Sequence, residues 1–307
     1  MELNVKSMVG LLVLGLALDA AAQVQPPPAK ERGLGPFTIR TKDNTVTARI
    51  LRRDRGTLWV SQARVGGTFE VGIPVGDVVQ LEMPAPRFFE QARQASSPEQ
   101  IAQAQAGLKS LFELVKPYRD IPGVVADEAI LLQGLLAERQ GKNSDALTCY
   151  EDILKQPYAS SQQNQARLKA GLCYTKTDQW EKALESLNTV QVSDDDVDLL
   201  SEAKLAQGQA YAKLGRPQDA LSAYLYLVVF YPYIQSNEVR CLDAALPCYA
   251  ELKDWEALFK TIQVIKSTYP GSLQAQDAAD FAETYAEHLK QEEAFQEPNN
   301  HEGADEK

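Results

Sequence analysis

Two different periodicities of apolar residues divide the chain. Between residues 36 and 84 they recur at every second position. Phe37 and Ile39 form one such run, Val46, Ala48 and Ile50 a second, and Phe69, Val71 and Ile73 another, each alternating with polar or small neighbours. Asp43-Asn44, Asp54-Arg55-Gly56 and Gly66-Gly67 interrupt the runs with turn residues, which is the signature of successive hairpins. Thr57–Gln62 and Val78–Met83 complete five predicted strands. So short a set of strands makes two layers only by curling on itself, so a small five-stranded β-barrel domain is expected over 36–84.

Beyond residue 98 the spacing is helical, and it repeats. Gly134, Gly171 and Gly208 lie 37 residues apart, and Ala146, Ala183, Ala220 and Ala257 follow at the same interval. The units read LLQGLLAERQGKNSDALTCYEDIL, LKAGLCYTKTDQWEKALESLNTV and LAQGQAYAKLGRPQDALSAYLYLV, with a weaker fourth, LDAALPCYAELKDWEALFKTIQVI. Small residues let paired helices approach closely, and no single pair can bury its apolar face alone. A mainly α chain is therefore expected, an α-solenoid over 98–290. Residues 98–117 supply an extra leading helix and 272–293 a polar closing one. Pro247 falls inside the first helix of the fourth unit and puts its curvature in question.

These units resemble the tetratricopeptide repeat. The small residue of the first helix is followed three positions on by Tyr174 or Tyr211, and Gly141 or Gly215 makes the turn. A small Ala opens the second helix, with Tyr150, Leu187 or Tyr224 after it and Pro157, Pro232 or Pro270 at the unit's end. The period exceeds the usual 34 residues by about three, so longer inter-repeat loops are expected. By spacing, the strand region is similar to SH3 or Sm-like barrels. The Tyr-Pro endings are similar to those of repeat proteins of the bacterial envelope, namely outer-membrane-assembly lipoproteins and periplasmic partners of the Tol–Pal system. This chain lacks the anchoring cysteine of the first and the N-terminal coiled coil of the second.

The N-terminus adds a location. Lys6, the apolar run Met8–Leu18 and Ala20-Ala21-Ala22 read as a signal peptide over 1–22, with a linker over 23–35. Cleavage after Ala22 gives an exported, periplasmic or secreted protein without an integral membrane segment; retention of the run as an anchor is the alternative. Residues 291–307 read as an acidic disordered tail.

Charge and chemistry then narrow the function. The net charge of -11 argues against a general nucleic-acid binder. It is unevenly spread: from Lys30 to Glu90 ten Lys/Arg face seven Asp/Glu, and from Gln91 onward 20 face 33, which suggests a boundary near residue 90. Only two histidines occur, and no phosphate-binding loop, nucleophile elbow or zinc motif is present, so no enzyme, cofactor or metal is expected. Asp194–Asp198 lacks the glycine and closing glutamate of a calcium loop and reads as a solvated loop. Cys241 and Cys248 stand about 10.5 Å apart on one helix, too far to bridge. Cys149 and Cys173 fall on neighbouring helices and are the pair a disulfide would join; the alternative is four small buried hydrophobes.

Two functions remain. The resemblance implies a scaffold or adaptor whose groove binds a protein partner. Carried over by position, its inward residues are Glu128, Leu131, Leu135, Glu138 and Arg139 in the first unit. They are Gln165, Leu168, Leu172, Thr175 and Lys176 in the second, and Glu202, Leu205, Gln209, Ala212 and Lys213 in the third. Arg139, Lys176 and Lys213 recur every 37 residues as a cationic ladder, or as helix-end charges, beside a leucine floor. A mixed apolar and acidic segment suits such a surface. The other function is a structural envelope module, in which Arg40, Arg49, Arg52, Arg53 and Arg55 on the outward face of the strands bind an anionic polymer or lipid head group. The alternatives for those arginines are a solvated edge that resists aggregation and a contact with the protein's own acidic second domain.

Overall fold

A computed structural model describes residues 33–65, 67–191, 197–231 and 235–290. The signal segment, the Asp194–Asp196 stretch and the acidic tail lie outside them. Five strands come first: β1 (Leu34–Thr41), β2 (Thr45–Asp54), β3 (Thr57–Arg64), β4 (Gly67–Pro74) and β5 (Val78–Glu82). Eleven helices follow among the described residues: α1 (Phe88–Gln94), α2 (Pro98–Val115), α3 (Ala126–Arg139), α4 (Asn143–Leu154), α5 (Gln163–Lys176), α6 (Trp180–Leu187), α7 (Val197–Lys213), α8 (Pro217–Phe230), α9 (Gln235–Leu252), α10 (Trp255–Thr268) and α11 (Leu273–Thr284). None of the described helices is long and apolar enough to cross a membrane. The chain divides into two compact units, 1–166 and 167–307, and not near residue 90.

In the first unit the strands form one antiparallel sheet in the order β4-β3-β2-β1-β5. The expected barrel is not closed: β4 and β5 are the two edges and carry no ladder to one another. The sheet's inner face solves its burial differently. Ile39, Ala48, Ile50, Leu58, Val60, Val78 and Leu81 pack against Tyr118 and Ile121, which come from the segment between α2 and α3. The Leu81 N–H donates to the carbonyl of Pro122 at 2.8 Å, holding that segment against β5. Gly123, at φ +90°, passes so close to the Leu81 carbonyl that no Cβ fits. The sheet thus shares its core with the segment that leads into α3, and the compact unit runs on past the Pro84–Pro86 stretch.

Helix α2 starts on a capping box. Ser97 Oγ accepts from the Gln100 N–H, and Gln100 Oε1 accepts from the Ser97 N–H. Helix α1, which the sequence pattern does not reveal, packs Phe89 and Ala92 into the same core as Leu108, Leu132 and Leu136. Arg119, buried to 10% exposure, donates to Asp127 at 2.6 Å and to Asp152 at 2.8 Å, tying the segment after α2 to α3 and α4. Tyr158 also donates to Asp127, at 3.1 Å. Burial and the Asp127 carboxylate hold the Tyr158 phenol above its ordinary pKa.

Repetition shows in the turns between paired helices. Gly141, Asp178, Gly215 and Lys253 all have left-handed backbone, at φ +72°, +57°, +68° and +59°. After each, an N–H reaches back across the turn: Lys142 to Ala137, Gln179 to Tyr174, Arg216 to Tyr211 and Asp254 to Tyr249, all between 2.9 and 3.0 Å. These are Schellman closures, which satisfy carbonyls that the helix end would otherwise leave open. In the second unit, Leu168, Ala183, Leu187, Ala203 and Ala210 form one core cluster, and Ala220, Tyr224, Leu227, Cys241, Ala245 and Cys248 another. Helix α9 runs through Pro247 without ending. Asp254 and Ser272 cap α10 and α11.

Candidate functional site

The arginines of the sheet are largely committed to the protein itself. A bulge in β2 between Ile50 and Arg52 shifts the register, so that Arg52 opposes Trp59 and Arg53 opposes Leu58. Directly opposed residues share a face, and Leu58 is wholly buried, so Arg53 stands on the core side rather than the outward one. There its guanidinium pairs with both oxygens of Asp120 and donates to the Pro117 carbonyl at 2.9 Å. The hydrogen bond from Arg53 holds the Asp120 carboxyl below its ordinary pKa. Outside, Arg52 lies 4.9 Å above the Trp59 ring and pairs with Glu70, while Arg40 donates to Gln80. Arg55 occupies a left-handed turn position. Arg49, opposite Ser61, keeps the expected outward place. The single outward patch read from the sequence is thus corrected, because the bulge inverts the alternation at Arg53.

The first unit's groove positions are likewise occupied from within. Glu128 pairs with Arg93 of α1, and Glu138 accepts from the Tyr150 hydroxyl. Leu131 is 3% exposed and belongs to the core rather than to a floor, while Leu135 packs half-buried on the α1–α3 cluster. Arg139 donates to the carbonyls of Ala92 at 3.1 Å and Ala95 at 3.0 Å, and to that of Arg93. It closes the C-terminal end of α1, where a cation complements the exposed carbonyls. The first rung of the expected ladder is therefore a helix cap. Gln165 is half-buried.

In the second unit the same repeat positions separate into core and surface. Leu168, 2% exposed, is core, and Thr175 is buried with its hydroxyl donating to the Leu172 carbonyl at 2.8 Å. Leu172, Leu205 and Ala212 are half-buried, packed on their clusters with one side outward. Lys176, Gln209 and Lys213 are exposed, the two lysines in the last turns of α5 and α7. Glu202 is exposed and pairs with Lys169 at 3.5 Å. That link between the first helices of successive repeats is invisible to a single-unit reading.

Little else has the makings of chemistry. An open cavity of about 550 Å³ lies along β1 and β5, lined by Phe37, Gln80, Glu82, Met83 and Gly123 among others; Glu82 is its one ionisable lining residue. No three His, Cys, Asp or Glu residues group as a metal would require among the described residues. The four cysteines form no disulfide. Burial raises the Cys149 and Cys241 thiols to about 11, so both stay protonated, as small buried groups do.

Residues 131–198 match the tetratricopeptide repeat family. No curated protein matches the chain. Among solved structures it is similar to YrrB, described as a tetratricopeptide protein with an unusual peptide-binding site, at 19% identity and a TM-score of 0.50 over 64% of this chain and 92% of that one. It is also similar to a tetratricopeptide repeat protein from Parabacteroides merdae, at 17% identity and a TM-score of 0.48, over 68% and 80%. MamA gives 13% identity and a TM-score of 0.43, over 65% and 92%. At such identities the likeness concerns the fold: the chain is mainly helical with tetratricopeptide-like helix repeats, and residues 131–198 carry the match to the repeat family.

Proposed function

We propose that the protein is an exported, non-enzymatic adaptor that holds a partner protein on the first helices of its repeats. Tetratricopeptide repeats generally serve as scaffolds for protein association. The observation that carries the reading is the sorting within residues 167–307. Lys176, Gln209 and Lys213 are exposed at ligand positions of the repeat, next to Leu172, Leu205 and Ala212, which keep one side outward. An extended segment mixing apolar and acidic residues fits that composition, with the carboxylates meeting the two lysines. Export rests on the leader-like sequence of residues 1–22. The alternative of an anionic polymer held by the sheet loses support, because Arg53, Arg52 and Arg40 already have protein partners.

The test is a photo-reactive amino acid at Gln209 in the exported full chain, followed by identification of what it captures in envelope extract. Lys176→Glu with Lys213→Glu should abolish that capture while leaving helicity unchanged. Capture that survives the double change would remove these positions from the binding surface. Mass spectrometry of the soluble protein should place the N-terminus at or near Gln23, and an intact Met1 would end the export assignment.

A further inference from the structure

The last two turns of α8, AYLYLVVF, are apolar around the whole circumference, as only a helix covered on every side should be. One face is indeed covered: Ala220, Ala223, Tyr224 and Leu227 are at most 5% exposed and pack within the repeat array. The other face is bare. Val229 is 66% and Phe230 62% exposed, and the Tyr226 ring lies tilted beside Phe230 with centroids 4.8 Å apart. The repeat itself gives no reason for this. Positions 226, 229 and 230 correspond to Gln263, Lys266 and Ser267 one repeat later, and to Asp152, Lys155 and Gln156 two repeats earlier, all polar. In the second unit Gln263, Lys266 and Ser267 are exposed, as second-helix residues at those positions should be. One repeat before α8 the same positions hold Thr189, Val192 and Ser193, so apolar residues at all three positions occur in this repeat alone.

A cation completes it. Lys204, from α7, projects over the Tyr226 ring with its nitrogen 4.6 Å from the centroid. It is half-buried, and no carboxylate pairs with it among the described residues. Burial holds its ammonium below the ordinary lysine pKa. An aromatic face offsets part of the cost of desolvating a cation, yet a half-buried ammonium with no carboxylate partner among the described residues, near the exposed Phe230 ring, is complementary to an incoming anion.

We infer that the Tyr226–Val229–Phe230 face of α8, with Lys204 at its edge, is a second docking surface, and that it takes an amphipathic segment of another protein. The segment's apolar side chains would cover Val229 and Phe230, and an acidic residue would reach Lys204. This surface belongs to the second helix of its repeat and does not depend on the first-helix groove proposed above.

The probe is a pair of labelled synthetic peptides with identical Leu and Phe positions at helical spacing, one carrying Glu and the other Lys at every charged site. Titrated with the full chain, the Glu peptide should bind about tenfold more tightly than its Lys twin. Val229→Ser with Phe230→Ser should weaken the Glu peptide by about tenfold or more, as loss of aromatic anchors does. Both positions are exposed, and unchanged circular dichroism will show that the fold is kept. Lys204→Met, which keeps the side chain's apolar stem, should leave binding but erase the preference for Glu over Lys. Lys176→Glu with Lys213→Glu should leave this binding untouched, so failure here and failure of the groove are read separately. Equal binding of the two peptides, or indifference to the Val229/Phe230 change, overturns the inference. So does a sedimentation coefficient that falls on making that change in the protein alone, since the face would then be covered by a second copy.

Discussion

Gly208 lies directly beneath the ring of Tyr224. A Cβ built on it would fall inside 3.0 Å of three atoms of that ring. The relationship recurs with each repeat glycine and the residue sixteen positions after it: Gly134 under Tyr150, and Gly171 under Leu187. Each large side chain is at most 5% exposed, so its room comes from the missing side chain opposite. The glycines are required by packing, since none of the three has left-handed backbone.

Gly208→Leu should therefore destabilise the protein by about 2–4 kcal/mol, the upper range for forcing bulk into a packed core. Urea unfolding followed by circular dichroism reads it. Adding Tyr224→Ala to Gly208→Leu should recover part of the loss, because the two positions share one volume. An unchanged midpoint in Gly208→Leu would mean that α7 and α8 do not pair as described.

The repeat was legible in the sequence because helix crowding leaves a small residue at a fixed interval, and Gly134, Gly171 and Gly208 record it directly. Their contact was less legible: Ala220 marks the helix that approaches Gly208, but the atoms that fill the gap are those of Tyr224, one turn further on. The strands were legible too, to within a few residues. Their closure was not, because what covers the sheet is Tyr118 and Ile121, far along the chain and with no periodicity to announce them. Candidate site residues failed for local reasons. One bulge turned Arg53 inward, and a helix too short to show a pattern, α1, claimed Glu128 and Arg139. The apolar face of α8 was in plain view as a run of large residues, but its exposure could be known only from which side packs.

Lys253 is the one lysine among the four left-handed turn residues, two of which are glycine. A side chain at φ +59° is disfavoured by about 1–2 kcal/mol against its right-handed form, a penalty glycine escapes. Glycine loses part of that advantage through the freedom of its unfolded chain. Lys253→Gly should then stabilise by about 0.5–1 kcal/mol, seen as a raised melting temperature. Lys253→Val, β-branched and poorly suited to positive φ, should lower it.

Arg139 is the next test, because a ladder and a cap predict different things. As a cap on Ala92, Arg93 and Ala95 it makes charge-assisted bonds although the residue itself is exposed, so Arg139→Met should cost about 1–2 kcal/mol. Hydrogen exchange should quicken first in α1, the helix it closes. Arg139→Lys should restore little, since one ammonium cannot span three carbonyls as a planar fork does. If Arg139→Met instead leaves α1 protected, the cap is incidental and the residue returns to the binding surface.

Asp120 supplies a pH signature for the joint between sheet and helices. Its hydrogen bond from Arg53 lowers its folded pKa below the unfolded value of about 3.9. A carboxyl depressed on folding contributes stability that is complete above the unfolded pKa and is lost as pH falls through the folded one. Asp120→Asn, nearly the same shape but uncharged, should therefore be less stable than the native chain by a constant margin between about pH 5 and 8. Below about pH 4 the unfolded carboxyl binds its proton while the folded one is still held ionised by Arg53, so the margin should narrow, and it closes as pH falls through the folded pKa. Arg53→Met should show the same convergence, offset by whatever burying a methionine beside Leu58 restores. Both pH series must be compared with the native chain at each pH, because the other carboxylates of this acidic protein titrate in the same window. A margin that stays constant down to pH 2 would show that Asp120 acts through its shape and its hydrogen bonds to Arg53, and that its charge contributes nothing to holding the 117–123 segment against the sheet.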